Sequence, residues 1–132
     1  MKIEHIGIAV RSLSDAVRMY RDCLGLEVSG YEDVPGDGVR VAMLPLGESR
    51  IELLESTTPG SPVDRFLARR GPGIHHIAIL VEDLDGALDR LRAAGARLVD
   101  ERPRAGAGGS RVAFLHPSSA HGVLLELVEH AK

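Results

Sequence analysis

Four side chains carry the chemistry of a metal or acid–base site, and they come as matched pairs: His5 with Glu52, and His76 with Glu126. Each histidine stands in an apolar run, Ile3-Glu4-His5-Ile6-Gly7-Ile8 and Ile74-His75-His76-Ile77-Ala78-Ile79, and each glutamate is flanked by aliphatic residues, Ile51 and Leu53 or Leu125 and Leu127. A lone histidine in such a strand reads as a satisfied core residue, and a lone glutamate as an edge position. Two of each is a different matter, because an unpartnered buried carboxylate is costly. Imidazole and carboxylate together suit a divalent ion of borderline softness, Co, Ni, Fe, Zn or Mn. Four such ligands leave two octahedral positions for water or a bidentate substrate. The competing reading is a His–Glu hydrogen-bond network with no ion.

What pairs these residues is an internal repeat. Laid over one another at an offset of 71, segments 3–28 and 74–99 agree at nine of 26 positions: Ile3/Ile74, His5/His76, Ile6/Ile77, Ile8/Ile79, Val10/Val81, Leu13/Leu84, Ala16/Ala87, Arg21/Arg92 and Val28/Val99. About two matches are expected for unrelated segments of ordinary composition. The same offset sets Arg40-Val41-Ala42-Met43-Leu44 on Arg111-Val112-Ala113-Phe114-Leu115, and three inserted residues later Ile51-Glu52-Leu53-Leu54-Glu55 falls on Leu125-Glu126-Leu127-Val128-Glu129.

Each copy predicts a βαβββ module. Strands are expected over 3–10 and 74–81, where Ile6, Ile8 and Val10 alternate with His5, Gly7 and Ala9. A helix follows each, started by Ser12 or Ser14 and by Asp83 or Asp85, and closed by Gly25 and Gly95. Further strands are expected over 26–33, 38–46 and 50–55, and over 97–101, 110–116 and 123–129. The connector 57–73 holds a short helix opened by Ser61 and Pro62. Residues 1–56 and 74–132 thus form two modules of one domain, an α+β fold with a curved mixed sheet around a central metal-binding cleft. Strand parity sets His5, His76, Glu52 and Glu126 on the faces turned away from the helices, beside the small residues Gly7, Ala9 and Ala78.

Other chemistry-bearing residues fit worse. His75 has the opposite parity to His76 and reads as packing or surface, while His116, His121 and His130 fall in loops or at the terminus. Gly106-Ala107-Gly108-Gly109 lacks the strand–loop–helix setting of a phosphate loop and reads as a hairpin or a lid. Arg102 and Arg104 beside it could hold an anion, but exposed arginines read first as solvated. Cys23, among Met19, Tyr20 and Leu24 at helical spacing, is expected to be a buried thiol.

The 132 residues suffice for a core, being 44% hydrophobic and 27% charged. Two Phe, two Tyr and no Trp argue against base stacking, and 14 Arg and 2 Lys scattered along a chain of net charge −3 leave no basic footprint for nucleic acid. No run is long enough to span a membrane and no signal peptide opens the chain, so a cytoplasmic protein is expected.

The whole chain resembles the vicinal oxygen chelate (glyoxalase) superfamily and, within it, the methylmalonyl-CoA epimerases. The resemblance is carried by Glu4-His5-Ile6-Gly7-Ile8-Ala9-Val10, by Pro35 to Gly47, by Ile51-Glu52-Leu53-Leu54-Glu55, by Gly71 to Ala78 and by Phe114-Leu115-His116-Pro117 leading into Gly122 to Leu127. It implies His5, Glu52, His76 and Glu126 as ligands to one divalent ion per chain, Co²⁺ favoured over Mn²⁺, Ni²⁺, Zn²⁺ or Fe²⁺. It further implies Glu126 as a catalytic acid/base, an acyl-CoA substrate and a homodimer. The expected reaction interconverts (2R)- and (2S)-methylmalonyl-CoA through an enolate. Some epimerases have Gln at the Glu52 position, and the better-described ones have a second glutamate where this chain has Val41. A glyoxalase I-type isomerase acting on a thiol hemithioacetal uses much the same ligands. A dioxygenase prefers two His and one carboxylate, and a metal-free drug-binding protein of the bleomycin-resistance type needs no such quartet.

Overall fold

The chain passes twice through the strand and helix order that the repeat predicts. In the computed structural model, which describes residues 1–132, the first pass is β1 (Lys2–Ala9), α1 (Leu13–Val17, prolonged by a π-helical segment Arg18–Cys23), β2 (Gly30–Val34), β3 (Val39–Leu46) and β4 (Ser49–Ser56). Helix α2 (Pro62–Arg70) precedes the second pass: β5 (Gly73–Leu80), α3 (Leu84–Ala93), β6 (Arg104–Ala105), β7 (Arg111–Leu115) and β8 (Leu125–Glu129). The result is an α+β fold of two βαβββ modules. Two compact units form, one of His5–His75 and one of His76–Lys132 with Met1–Glu4.

In the first unit the strand order is β2-β3-β4-β1, with β1 parallel to β4 and the other pairs antiparallel. Alternation along these strands decides what each face holds. Val10, Ala42, Leu44 and Leu53, with Ile8 and Ile51, pack against Leu13 and Val17 of α1. The second unit repeats the device in the order β5-β8-β7-β6, and Val81, Ala113, Leu127 and Ile79 meet Leu84, Ala87 and Leu88 of α3.

Ser12 and Asp83 are the residues that cap the two helices, accepting from the Asp15 and Gly86 amides. A second matched glutamate pair completes the job. Glu55 accepts a hydrogen bond from the Leu13 amide at 2.7 Å, and Glu129 from the Leu84 amide at 3.3 Å. Both lie three residues past Glu52 and Glu126, which by parity turns them to the helix side. Their charge also suits the positive end of the helix dipole. Gly25 (φ 90°) and Gly95 (φ 80°) end the helices in the left-handed region, as their sequence positions required. Ser61 caps α2 and Pro62 occupies its first turn.

Three expectations need correction. The strand expected over 26–33 begins only at Gly30, because the Leu26 amide closes the helix end on the Tyr20 carbonyl. The strand expected over 97–101 is reduced to a single bridge between Leu98 and Leu115. Backbone bonds remain from Val99 to Phe114 and from His116 to Arg97, but side chains break the ladder between them: Ser119 Oγ accepts from the Arg97 amide and Asp100 from the Phe114 amide. The short β6 forms beyond Pro103 instead. Cys23 is exposed rather than buried. The π-helical segment has more residues per turn than an α-helix, so the phase set by Leu13 and Val17 is lost and Cys23 rotates off the core face.

The capping role of Glu55 predicts that Glu55→Ala lowers the unfolding free energy by about 1–2 kcal/mol, since it strands the Leu13 amide. Urea unfolding checks this as a lower midpoint at unchanged slope. Leu53→Ala, at a fully buried position, should cost more, about 3 kcal/mol.

Candidate metal centre

Each module builds one imidazole–carboxylate pair by the same route. In the first, Ile8 and Val10 face α1, so His5 on the alternate parity of β1 turns away from it. On β4, Ile51 and Leu53 face α1 and Glu52 turns away likewise. The Cα partner of Glu52 across the parallel ladder is Gly7, which has no side chain to occupy the space beside the carboxylate. His5 Nδ1 comes to 3.3 Å from Glu52 Oε2, and both residues are only 4% exposed.

In the second module Ile79 and Val81 face α3, so His76 shares the other face with Ala78. Ala78 is the strand partner of Glu126, again a small residue beside the carboxylate. His76 Nε2 lies 3.3 Å from Glu126 Oε1, and both side chains are buried. The Phe114 ring stands edge-on to His76, with centroids 5.4 Å apart, and Phe114 is also the antiparallel partner of Glu126.

A separation of 3.3 Å in both pairs is long for a charge-assisted hydrogen bond, whose usual range is about 2.7–2.9 Å. Adjacent ligands bound at about 2.0–2.2 Å to a single ion lie about 3 Å apart. An imidazole and a carboxylate so placed are donors of the kind that could hold a divalent metal ion, and buried Glu4 also lies within ligand reach of His5 and Glu52.

The two carboxylates are not equivalent. Arg50 donates to Glu52 Oε2 from Nε at 2.9 Å, and its Nη2 lies 2.7 Å from the same oxygen. The repeat puts Leu124 at the matching place before Glu126. Sequence inspection passed over Arg50, although a residue two positions before Glu52 on a strand must share its face. It also passed over Phe114, which the repeat matches to Met43, the strand partner of Glu52.

The remaining candidates take structural roles. His75 packs edge-on against Phe66 at 5.1 Å, in keeping with its parity. His116 caps a short 3₁₀ turn and accepts from the Ser118 amide, and His121 sits exposed in a turn with φ 55°. His130 Nε2 pairs with the buried Glu4 at 2.9 Å. Gly106 to Gly109 form a 3₁₀ turn joining β6 to β7. Arg104 is no solvated arginine: it bonds Asp100 at 3.0 Å and lies over the Phe114 ring. Arg102 is exposed, as expected.

Comparison with known proteins agrees with this architecture. Residues 4–114 match the Glyoxalase/Bleomycin resistance protein/Dioxygenase superfamily. The chain is 44% identical to the ethylmalonyl-CoA/methylmalonyl-CoA epimerase of Cereibacter sphaeroides, over 96% of each chain. It is 37% identical to the human mitochondrial methylmalonyl-CoA epimerase, over 96% of this chain and 72% of that one. The chain belongs to the methylmalonyl-CoA epimerase family. A Streptomyces coelicolor methylmalonyl-CoA epimerase variant, solved with 2-nitronate-propionyl-CoA, superposes with a TM-score of 0.95 at 43% identity, covering 99% of this chain and 95% of that one.

The Arg50–Glu52 contact predicts that Arg50→Met destabilises the metal-free protein by about 1–3 kcal/mol, because a buried carboxylate loses two N–H donors. Arg50→Lys should recover only part of this, since an ammonium lacks the guanidinium fork. Urea unfolding of the three proteins in chelator decides the matter.

Proposed function

We propose that this chain interconverts (2R)- and (2S)-methylmalonyl-CoA by removing and returning the α-proton. The reading is carried by the duplicated, buried imidazole–carboxylate pair, in a chain that matches epimerases along nearly its whole length. His5, Glu52, His76 and Glu126 would together hold one divalent ion, with Co²⁺ favoured. Bound there, such an ion would act as a Lewis acid toward the thioester oxygen and the free carboxylate of the substrate.

The residues themselves divide the remaining work. The α-proton of a thioester is weakly acidic, so a positioned carboxylate must take it as negative charge spreads onto the thioester oxygen. Glu126 has that role in this reading, and its strand partners Ala78 and Phe114 surround it with apolar atoms. Glu52 is instead tied to Arg50, which suits a ligand held in one orientation better than a group that must cycle its proton. His5 and His76 serve as neutral donors.

The same reading takes the chain as a cytoplasmic homodimer. No helix is long and apolar enough to cross a membrane. Leu24, Ile74 and Val99 lie exposed on the isolated chain.

Proton NMR in D₂O tests the chemistry directly. The metal-loaded protein should wash out the α-proton signal of methylmalonyl-CoA, and chelator should abolish the effect. Glu126→Gln should slow exchange by at least about 100-fold. Stoichiometric bound metal with no α-proton exchange would overturn the epimerase assignment.

A further inference from the structure

Arg50 grips one oxygen of Glu52 rather than both. Its Nε donates to Oε2 at 2.9 Å, and its Nη2 lies 2.7 Å from the same atom. Guanidinium–carboxylate pairs are frequently fork on fork, with one N–H to each oxygen. Here both N–H groups converge on Oε2. A carboxylate oxygen has about two lone-pair sites, so Oε2 is saturated, and His5 Nδ1 stands 3.3 Å from it besides. With Oε2 so held, Glu52 has Oε1 to give to a ligand.

Charge matters here as much as geometry. The Glu52 side chain is 5% exposed and that of Arg50 27%, so the pair meets where little water screens it. Buried Glu4, the chain neighbour of His5, also lies within ligand reach of His5 and Glu52, and His130 Nε2 meets its Oε2 at 2.9 Å. The cluster is acidic, and Arg50 is a permanent positive charge set against it. Such a charge stabilises the carboxylate and opposes any cation that approaches the same donors.

A carboxylate binds a metal ion through one oxygen or through both. Each additional oxygen that a protein ligand gives to an octahedral ion removes a position that a chelating substrate could fill. We propose that Arg50 is a positioning residue that confines Glu52 to one-oxygen coordination through Oε1, and that it weakens the hold on the ion in doing so. The position spared is one that the thioester or carboxylate oxygen of an acyl-CoA needs. This inference rests on reading the chain as a metal-dependent epimerase, and the test keeps the two apart.

Co²⁺ affinity is measured by competition with a chelator, alongside the visible spectrum of bound Co²⁺ and the KM for methylmalonyl-CoA in the D₂O exchange assay. Arg50→Met should bind Co²⁺ at least about tenfold more tightly than wild type, with a changed visible spectrum and a raised KM. Simple structural damage would move the affinity the other way. Adding Glu52→Gln to Arg50→Met should undo the tightening and bring KM down again, because an amide has one carbonyl oxygen to give and no charge. Arg50→Lys should shift the affinity in the same direction by a smaller factor, since an ammonium cannot converge two N–H groups in a fixed fork; it stands in if Arg50→Met does not fold. Co²⁺ binding in Arg50→Met that equals or falls below wild type overturns the proposal. So does tight binding that survives in the double variant, which would place the effect on a donor other than Glu52, or tight binding with spectrum and KM unchanged. A wild type that binds Co²⁺ but exchanges no α-proton overturns the epimerase reading, while affinity and spectrum still decide the role of Arg50. A wild type that binds no Co²⁺ overturns the proposal with the metal centre.

Discussion

Burying a carboxylate in the middle of a strand is the constraint on which each half of this chain depends. Glu52 and Glu126 are both nearly inaccessible, and a group of that kind must be partnered. The chain meets the demand with an imidazole at 3.3 Å in each module and a small residue, Gly7 or Ala78, as strand partner. In the first module it adds the Arg50 guanidinium. Apolar packing on the opposite face of each sheet then holds the strands in register, because a slip by one residue would exchange the glutamate for a leucine.

The duplicated glutamates of each last strand show how parity divides labour. Glu52 and Glu126 turn from the helix and meet an imidazole; Glu55 and Glu129, three residues on, turn toward it and satisfy the helix amide that begins α1 or α3. Four acidic residues in two short segments thus serve two purposes with no overlap. The modules diverge where only one copy needs a feature. Arg50 has Leu124 as its counterpart and Met43 has Phe114, so one carboxylate is tied to a cation and the other lies beside an aromatic ring. Matched modules thus set their buried carboxylates in unlike surroundings.

Much of this was legible before any coordinates. The repeat alone determined the two βαβββ modules, the matched His–Glu pairs and the faces on which they lie, because side-chain alternation in a strand is a covalent consequence of backbone geometry. Ser12, Asp83, Gly25 and Gly95 marked the helix ends for an equally local reason: each satisfies or terminates the turn in which it sits.

What only the tertiary structure decided lies at the ends of elements and across strands. Cys23 is exposed because a π-helical segment shifts the phase of the first helix, a departure that an assumed helical period does not anticipate. The ladder of residues 97–101 is interrupted where the side chains of Ser119 and Asp100 accept backbone amides, a competition that propensity does not register. The pairing of Glu32 with Val41 and the grip of Arg50 on Glu52 likewise depend on cross-strand register and rotamer. Sequence sets which side of a strand a residue faces, through local geometry. Which partner it meets there is set by packing between segments far apart in the chain.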